Sequence, residues 1–146
     1  MLEVGILGAG FMGKTHAAAY KKLPNVRLAV IADNDEEKVE QAGCQMGCKA
    51  ETDAEKVIQD ASISLVDVTL PTPLHANFAV QALEAGKHVI VEKPMALSLA
   101  EVDTMLEASR RTGKFLMVAQ VLRFWPEYVK IREILQSGIR LQGKKF

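Results

Sequence analysis

The chain has 146 residues, of which 49% are hydrophobic and 25% charged, and its 18 Lys and Arg balance 18 Asp and Glu. A chain this long buries roughly two-thirds of the surface its unfolded form exposes, so it reads as one ordinary globular domain and argues against a two-domain enzyme. The balanced charge provides no global field toward nucleic acid or a membrane surface, and the longest uncharged stretch, residues 68–83, is interrupted by Pro71 and Pro73 and falls short of the ~20 apolar residues of a spanning helix.

The first residues, Met1-Leu2-Glu3-Val4, run straight into an apolar segment without the basic region of a secretory signal. Cys44 and Cys48 are the only cysteines. They are too few for a disulfide framework and have no nearby His for a metal site. The expectation is a cytoplasmic chain with no metal.

In chain order, β-branched apolar runs predict strands at 2–7, 26–32, 65–70, 88–91 and 115–118, with a weaker one at 48–50. Amphipathic stretches between them predict helices at 11–23, 35–46, 74–85, 99–112 and 126–136. Ser98 and Glu101 form a capping box, with Leu97 and Val102 as its hydrophobic staple and Val102, Met105, Leu106 and Ser109 as one helix face. Gly86 and Gly113 stop helices, and Pro126 suits the first position of the last one. Nearly continuous apolar runs indicate parallel strands covered on both faces. Six such strands with right-handed crossovers predict a doubly wound α/β sheet, a Rossmann fold in the order 3-2-1-4-5-6.

Gly8-Ala9-Gly10-Phe11-Met12-Gly13 follows the first strand and opens the first helix, which is the context a dinucleotide fingerprint requires. Gly8 would permit the tight turn, Gly10 would let a pyrophosphate approach, and Gly13 would allow close packing of helix on strand. The helix N-terminus, at Phe11 and Met12, offers free N–H groups to phosphate. Glycines serving turn geometry alone are the competing reading.

Asp33 comes twenty residues after Gly13, at the end of the second strand, where a carboxylate can accept hydrogen bonds from a ribose diol. Asn34, Asp35, Glu36 and Glu37 follow with no Arg to pair a 2'-phosphate, so NAD is expected over NADP. Asp33 could also cap the next helix.

Further pieces follow the same order and spacing as a known family. Pro71-Thr72-Pro73-Leu74-His75 comes after the fourth strand, Ala85-Gly86-Lys87-His88-Val89 leads into the fifth, and Glu92-Lys93-Pro94 closes it. Together with the glycine turn, these make the chain resemble the glucose-fructose oxidoreductase, inositol dehydrogenase and MocA-like family of NAD(P)-dependent oxidoreductases. The resemblance runs to about Trp125, so residues 1–125 are read as the dinucleotide-binding domain and 126–146 as a terminal helix and basic tail. It implies a second, substrate-binding domain that these residues do not include.

The resemblance also implies roles. Lys93 would lie beside the nicotinamide and hydrogen-bond the substrate oxygen, where an ammonium stabilises oxyanion character during hydride transfer. Glu92 would support that strand end, and Pro94 would fix the backbone direction. Pro71, Thr72 and His75 would lie near the pyrophosphate or the nicotinamide ribose, although His75 could equally pack or cap the helix. Gln120 and Arg123 would line the cleft, and Phe124 would pack. His16 and His88 read as structural.

The function implied is hydride transfer between NAD and a sugar- or polyol-type carbinol or carbonyl, with a small-molecule substrate. A binding module without chemistry, or an interaction half needing a separately encoded substrate domain, are the alternatives. Without that domain, Leu70, Leu122, Phe124 and Trp125 would form an apolar rim, and self-association into a homo-oligomer is expected.

Overall fold

The computed structural model describes residues 1–137. Within them strands and helices alternate as β1 (Leu2–Leu7), α1 (Phe11–Tyr20), β2 (Val26–Ala32), α2 (Glu36–Met46), β3 (Lys49–Glu51), α3 (Ala54–Gln59), β4 (Leu65–Val68), α4 (His75–Glu84), β5 (His88–Val91), α5 (Leu99–Thr112), β6 (Leu116–Val118) and α6 (Pro126–Gln136). Short 3-10 turns, Thr72–Leu74 and Val121–Phe124, precede α4 and α6. Every ladder is parallel, and the sheet order is β3-β2-β1-β4-β5-β6. This is the doubly wound order expected from the alternation of apolar runs. The basic tail beyond Ser137 lies outside the described residues.

Alternate residues of the central strand serve opposite faces. Val4 and Ile6 of β1 pack with Ala17, Val39 and Ala42 of α1 and α2, while Leu7 belongs to the face covered by α3, α4 and α5, among Val57, Leu83 and Met105. Covering both faces explains why β1 reads as an almost unbroken apolar run.

Helix α3 had no counterpart among the expected elements. Its six residues offer only the apolar pair Val57 and Ile58, too few to show a helical period. Its signal was the cap, since the Asp53 carboxylate accepts from the Glu55 N–H at 2.9 Å. The helix lies close on β1: a Cβ built on Gly5 would come 2.5 Å from Val57 Cγ1.

Several boundaries and contacts differ from expectation. α1 ends at Tyr20 and leaves Leu23 half exposed, and β4 ends at Val68 because the chain turns toward Pro71, which has no N–H to donate to a ladder. The capping box at Ser98 and Glu101 forms, but the staple does not, for Leu97 is 66% exposed. Glu101 Oε2 instead accepts from the N–H groups of Leu97 and Ser98 at 3.1 and 2.9 Å. The buried face of α5 is Met105 and Ala108, with Leu106 left at the rim. Phe124 is 78% exposed and does not pack. Lys87 is buried, its ammonium donating to the carbonyls of Asp60 and Ile63 at 2.6 and 2.8 Å, which ties the end of α3 to the start of β5.

Candidate functional site

The sheet order reverses at β1, with β2 on one side and β4 on the other, and a crevice opens beyond the carboxyl ends of strands at such a point. Three loops meet there: Gly8 to Gly13 after β1, Asp33 and Asn34 after β2, and Thr69 to Pro71 after β4. Together with Thr52 to Glu55 at the start of α3 and Leu74 and Phe78, they line a cleft of about 790 Å3.

The glycine turn is fixed by its own backbone. Gly8 has φ +106°, and a Cβ there would lie 2.8 Å from the Thr69 carbonyl oxygen, so both conformation and space require glycine. Thr69 Oγ1 lies 3.0 and 2.9 Å from the carbonyl oxygens of Leu7 and Gly8, tying the turn to the end of β4. At Gly13 a Cβ would come 1.9 Å from the Gly8 carbonyl oxygen. The close contact expected of Gly13 is therefore with the turn just past the strand rather than with β1 itself.

Gly10 differs from both. Its φ is −72°, which any residue can adopt, and a Cβ there would meet nothing within 4 Å. Its glycine leaves space beside the first turn of α1. Whereas α2, α3 and α5 begin with side-chain caps from Asp35, Asp53 and Ser98, α1 begins at Gly10 with none. Its first N–H groups can accordingly be offered to an anion entering the cleft.

Asp33 stands on the opposite wall and is buried, 8% exposed. Oδ2 accepts from the Ala9 N–H at 2.8 Å and from the Lys38 ammonium, and Oδ1 accepts from the Asp35 N–H at 3.2 Å. Burial pushes its carboxyl upward, but the Lys38 ammonium and the two backbone donors outweigh it and hold Asp33 below the usual carboxylate range. Asp33 does not cap α2: that is Asp35, which accepts from the Lys38 N–H at 3.0 Å. An N–H cradle on one wall and an ionised carboxylate on the other fit a diphosphate joined to a diol, so these residues could hold a dinucleotide.

The other expected site residues fall into three groups. Gly8, Gly10, Phe11, Met12, Asp33, Asn34 and Pro71 line the cleft, while Gly13 lies behind the turn. Lys93, Gln120 and Arg123 are exposed, outside the cleft lining, on the loops after β5 and β6. Thr72, Glu92 and His75 also lie off that lining.

His75 is 1% exposed, with Nδ1 and Nε2 at 2.9 and 2.7 Å from the carbonyl oxygens of Pro94 and Leu70. Of its two readings, the geometry gives packing, as a bridge between the loops after β4 and β5. Leu70 is part of that packing and is partly buried, so it does not belong to an exposed rim. Glu92 Oε2 accepts from the Lys93 N–H at 3.0 Å, while Oε1 lies 3.2 Å from His16 Nε2.

Sequence reasoning missed Lys38, Thr69 and the Thr52 to Glu55 segment. The search for a cation beside Asp33 considered Arg and stopped at Glu37; Lys38, the next residue, returns to Asp33 only through the first turn of α2. Thr69 was legible as the hydroxyl ending an apolar strand, and Asp53 as a cap.

Comparison with known proteins places this geometry. Residues 2–120 match the model of the oxidoreductase family with an NAD-binding Rossmann fold. The chain is 36% identical to levoglucosan dehydrogenase of Pseudarthrobacter phenanthrenivorans, with 94% of this chain and 37% of that protein covered. It is 30% identical to myo-inositol 2-dehydrogenase of Thermotoga maritima, covering 94% and 41%. A solved levoglucosan dehydrogenase in complex with NADH and levoglucosan superposes with a TM-score of 0.88 at 34% identity, over 94% of this chain and 40% of that one. The chain thus spans about two-fifths of the length of these relatives.

Proposed function

Since the chain belongs to the glucose-fructose oxidoreductase, inositol dehydrogenase and MocA family of oxidoreductases, through their NAD-binding Rossmann fold, we propose that residues 1–125 form the dinucleotide-binding half of a dehydrogenase acting on a sugar- or polyol-type carbinol or carbonyl. The observation that carries the reading is the pairing, across one cleft, of an uncapped helix N-terminus at Gly10 with the ionised Asp33. The N–H groups of α1 bind the pyrophosphate, Asp33 and Asn34 receive the adenosine ribose, and Pro71 and Thr72 adjoin the nicotinamide half. NAD is favoured over NADP because a 2'-phosphate would lie beside the Asp33 carboxylate.

The bound nicotinamide supplies or takes up the hydride. Lys93 donates a hydrogen bond to the substrate oxygen and stabilises its negative charge, Glu92 holds the Lys93 backbone through the N–H bond at 3.0 Å, and Gln120 and Arg123 bind polar groups at the rim. An ammonium of ordinary basicity is a poor sole proton acceptor near pH 7. A substrate-binding counterpart must therefore bring an acid or base and exclude water. The exposed positions of Lys93, Gln120 and Arg123 favour a second reading for these 146 residues by themselves, binding without turnover.

The exposed apolar side chains Leu122, Phe124 and Trp125 adjoin α6 and support self-association of the isolated chain. The free thiols of Cys44 and Cys48 fit a reducing, cytoplasmic setting, and among the described residues no helix is long and apolar enough to cross a membrane.

Incubating the purified chain with NAD and a panel of polyols while following NADH absorbance tests the catalytic part. The expected result is little or no NADH. Robust polyol-dependent production would show that the site is complete without a counterpart.

A further inference from the structure

Lys38 is the one Lys or Arg among the described residues lining the cleft, whose other charged side chains are Asp33, Asp53 and Glu55. Its ammonium is bonded to Asp33 Oδ2, yet its side chain remains 39% exposed. A flexible four-carbon stem lets such an ammonium leave the carboxylate for an incoming anion without disturbing α2. We propose that Lys38 is a specificity-determining residue that sets how strongly the cleft discriminates between NAD and NADP, by offering a 2'-phosphate the cleft's single cationic partner. The assignment rests on the adenosine ribose lying at Asp33 and deepens that reading.

Two bound states follow from the geometry. With a free ribose diol, hydroxyl groups donate to Asp33 while Lys38 stays on the same carboxylate or donates to a ribose oxygen. No charge is stranded. With a 2'-phosphate, Lys38 turns to the phosphate, and Asp33 loses its cation at the moment a second anion arrives beside it. Asp53 and Glu55, on the same stretch of wall, add to the repulsion. Selectivity for NAD is therefore graded rather than absolute, and Lys38 is the residue that admits NADP at all. Removing the ammonium should act in opposite directions on the two cofactors, because it frees Asp33 for the diol and deprives the phosphate of its partner. General damage to the cleft would weaken both alike.

Calorimetric titration of the 146-residue chain and its Lys38→Gln and Lys38→Arg variants with NAD and NADP, at low and high salt, tests the assignment. Lys38→Gln should weaken NADP by about tenfold or more, the loss of a charge-assisted hydrogen bond, while NAD binding holds or tightens. Lys38→Arg should restore NADP binding. The extra salt sensitivity of NADP over NAD should vanish in Lys38→Gln. An unchanged ratio of affinities in Lys38→Gln, or an equal loss for both cofactors, overturns the assignment. If the unmodified chain takes up neither dinucleotide, the adenosine reading itself fails, and the role of Lys38 falls with it.

Discussion

His16 sits between two buried carboxylates. Nδ1 is 2.8 Å from Asp67 Oδ2 and Nε2 is 3.2 Å from Glu92 Oε1, while the Tyr20 hydroxyl donates to Asp67 Oδ2 at 2.7 Å. The hydrogen bond to Asp67 raises His16 above its ordinary 6.5 against the opposing effect of burial, and the charge of Glu92 adds to the rise. Burial, reinforced by Asp67, pushes the Tyr20 phenol well above its usual range, so it stays a donor. His16 and Tyr20 share one face of α1 because they are four residues apart. Asp67 was legible as an acid inside an apolar strand, but its partners come from 51 and 47 residues away, a separation no local pattern reports.

The imidazolium favoured by the fold contributes stability fully below about pH 6.5, the ordinary histidine value, and that contribution fades as pH rises through the higher folded value. His16→Gln should cost about 3 kcal/mol by leaving buried carboxylates without their cation. In urea unfolding, the gap between the unmodified chain and the variant should be wider near pH 6 than near pH 9. A gap independent of pH would mean that His16 is neutral in the fold.

At the scale of elements, the long periodic helices α5 and α6 were legible to their end residues, and the order of the strands followed from alternation alone. Legibility failed where an element was too short to carry a period, as in α3, or where polar contacts replaced apolar ones, as at Leu97. Of the cleft, the glycine turn, Asp33, Asn34 and Pro71 were readable as local motifs. Lys38 was not, because its contact with Asp33 depends on where the first turn of α2 points. His75 was readable as a residue worth naming, but its two carbonyl partners are tertiary.

Helix α6 buries no residue and leaves Ile131 and Leu135 exposed, with Trp125 edge-on to Tyr128 at 6.3 Å. An apolar stripe of this kind on a helix favours a partner surface. Light scattering over rising concentration should show the isolated chain moving to dimers or higher species, and Trp125→Lys with Ile131→Lys should return it to monomer. A strictly monomeric mass at high concentration would contradict the role given to this face.

At the scale of the whole molecule, the cleft exists because parallel strands end together and loops from β1, β2 and β4 converge on one rim. The turn is held from both sides, by Asp33 on the Ala9 N–H and by Thr69 on the Gly8 carbonyl, so its N–H groups are positioned before any ligand arrives. Gly13 and Gly10 separate folding from binding within that turn. A side chain at Gly13 would collide with the Gly8 carbonyl, whereas one at Gly10 would occupy only open space in the cleft. Gly10→Val should consequently leave the fold intact and obstruct the ligand. The most direct test is calorimetric titration of NAD into the unmodified chain and Gly10→Val, with circular dichroism of both. Binding by the first, a loss of about tenfold or more in the second and matching spectra are the predicted result; full NAD affinity in Gly10→Val with an unchanged spectrum would place the dinucleotide elsewhere.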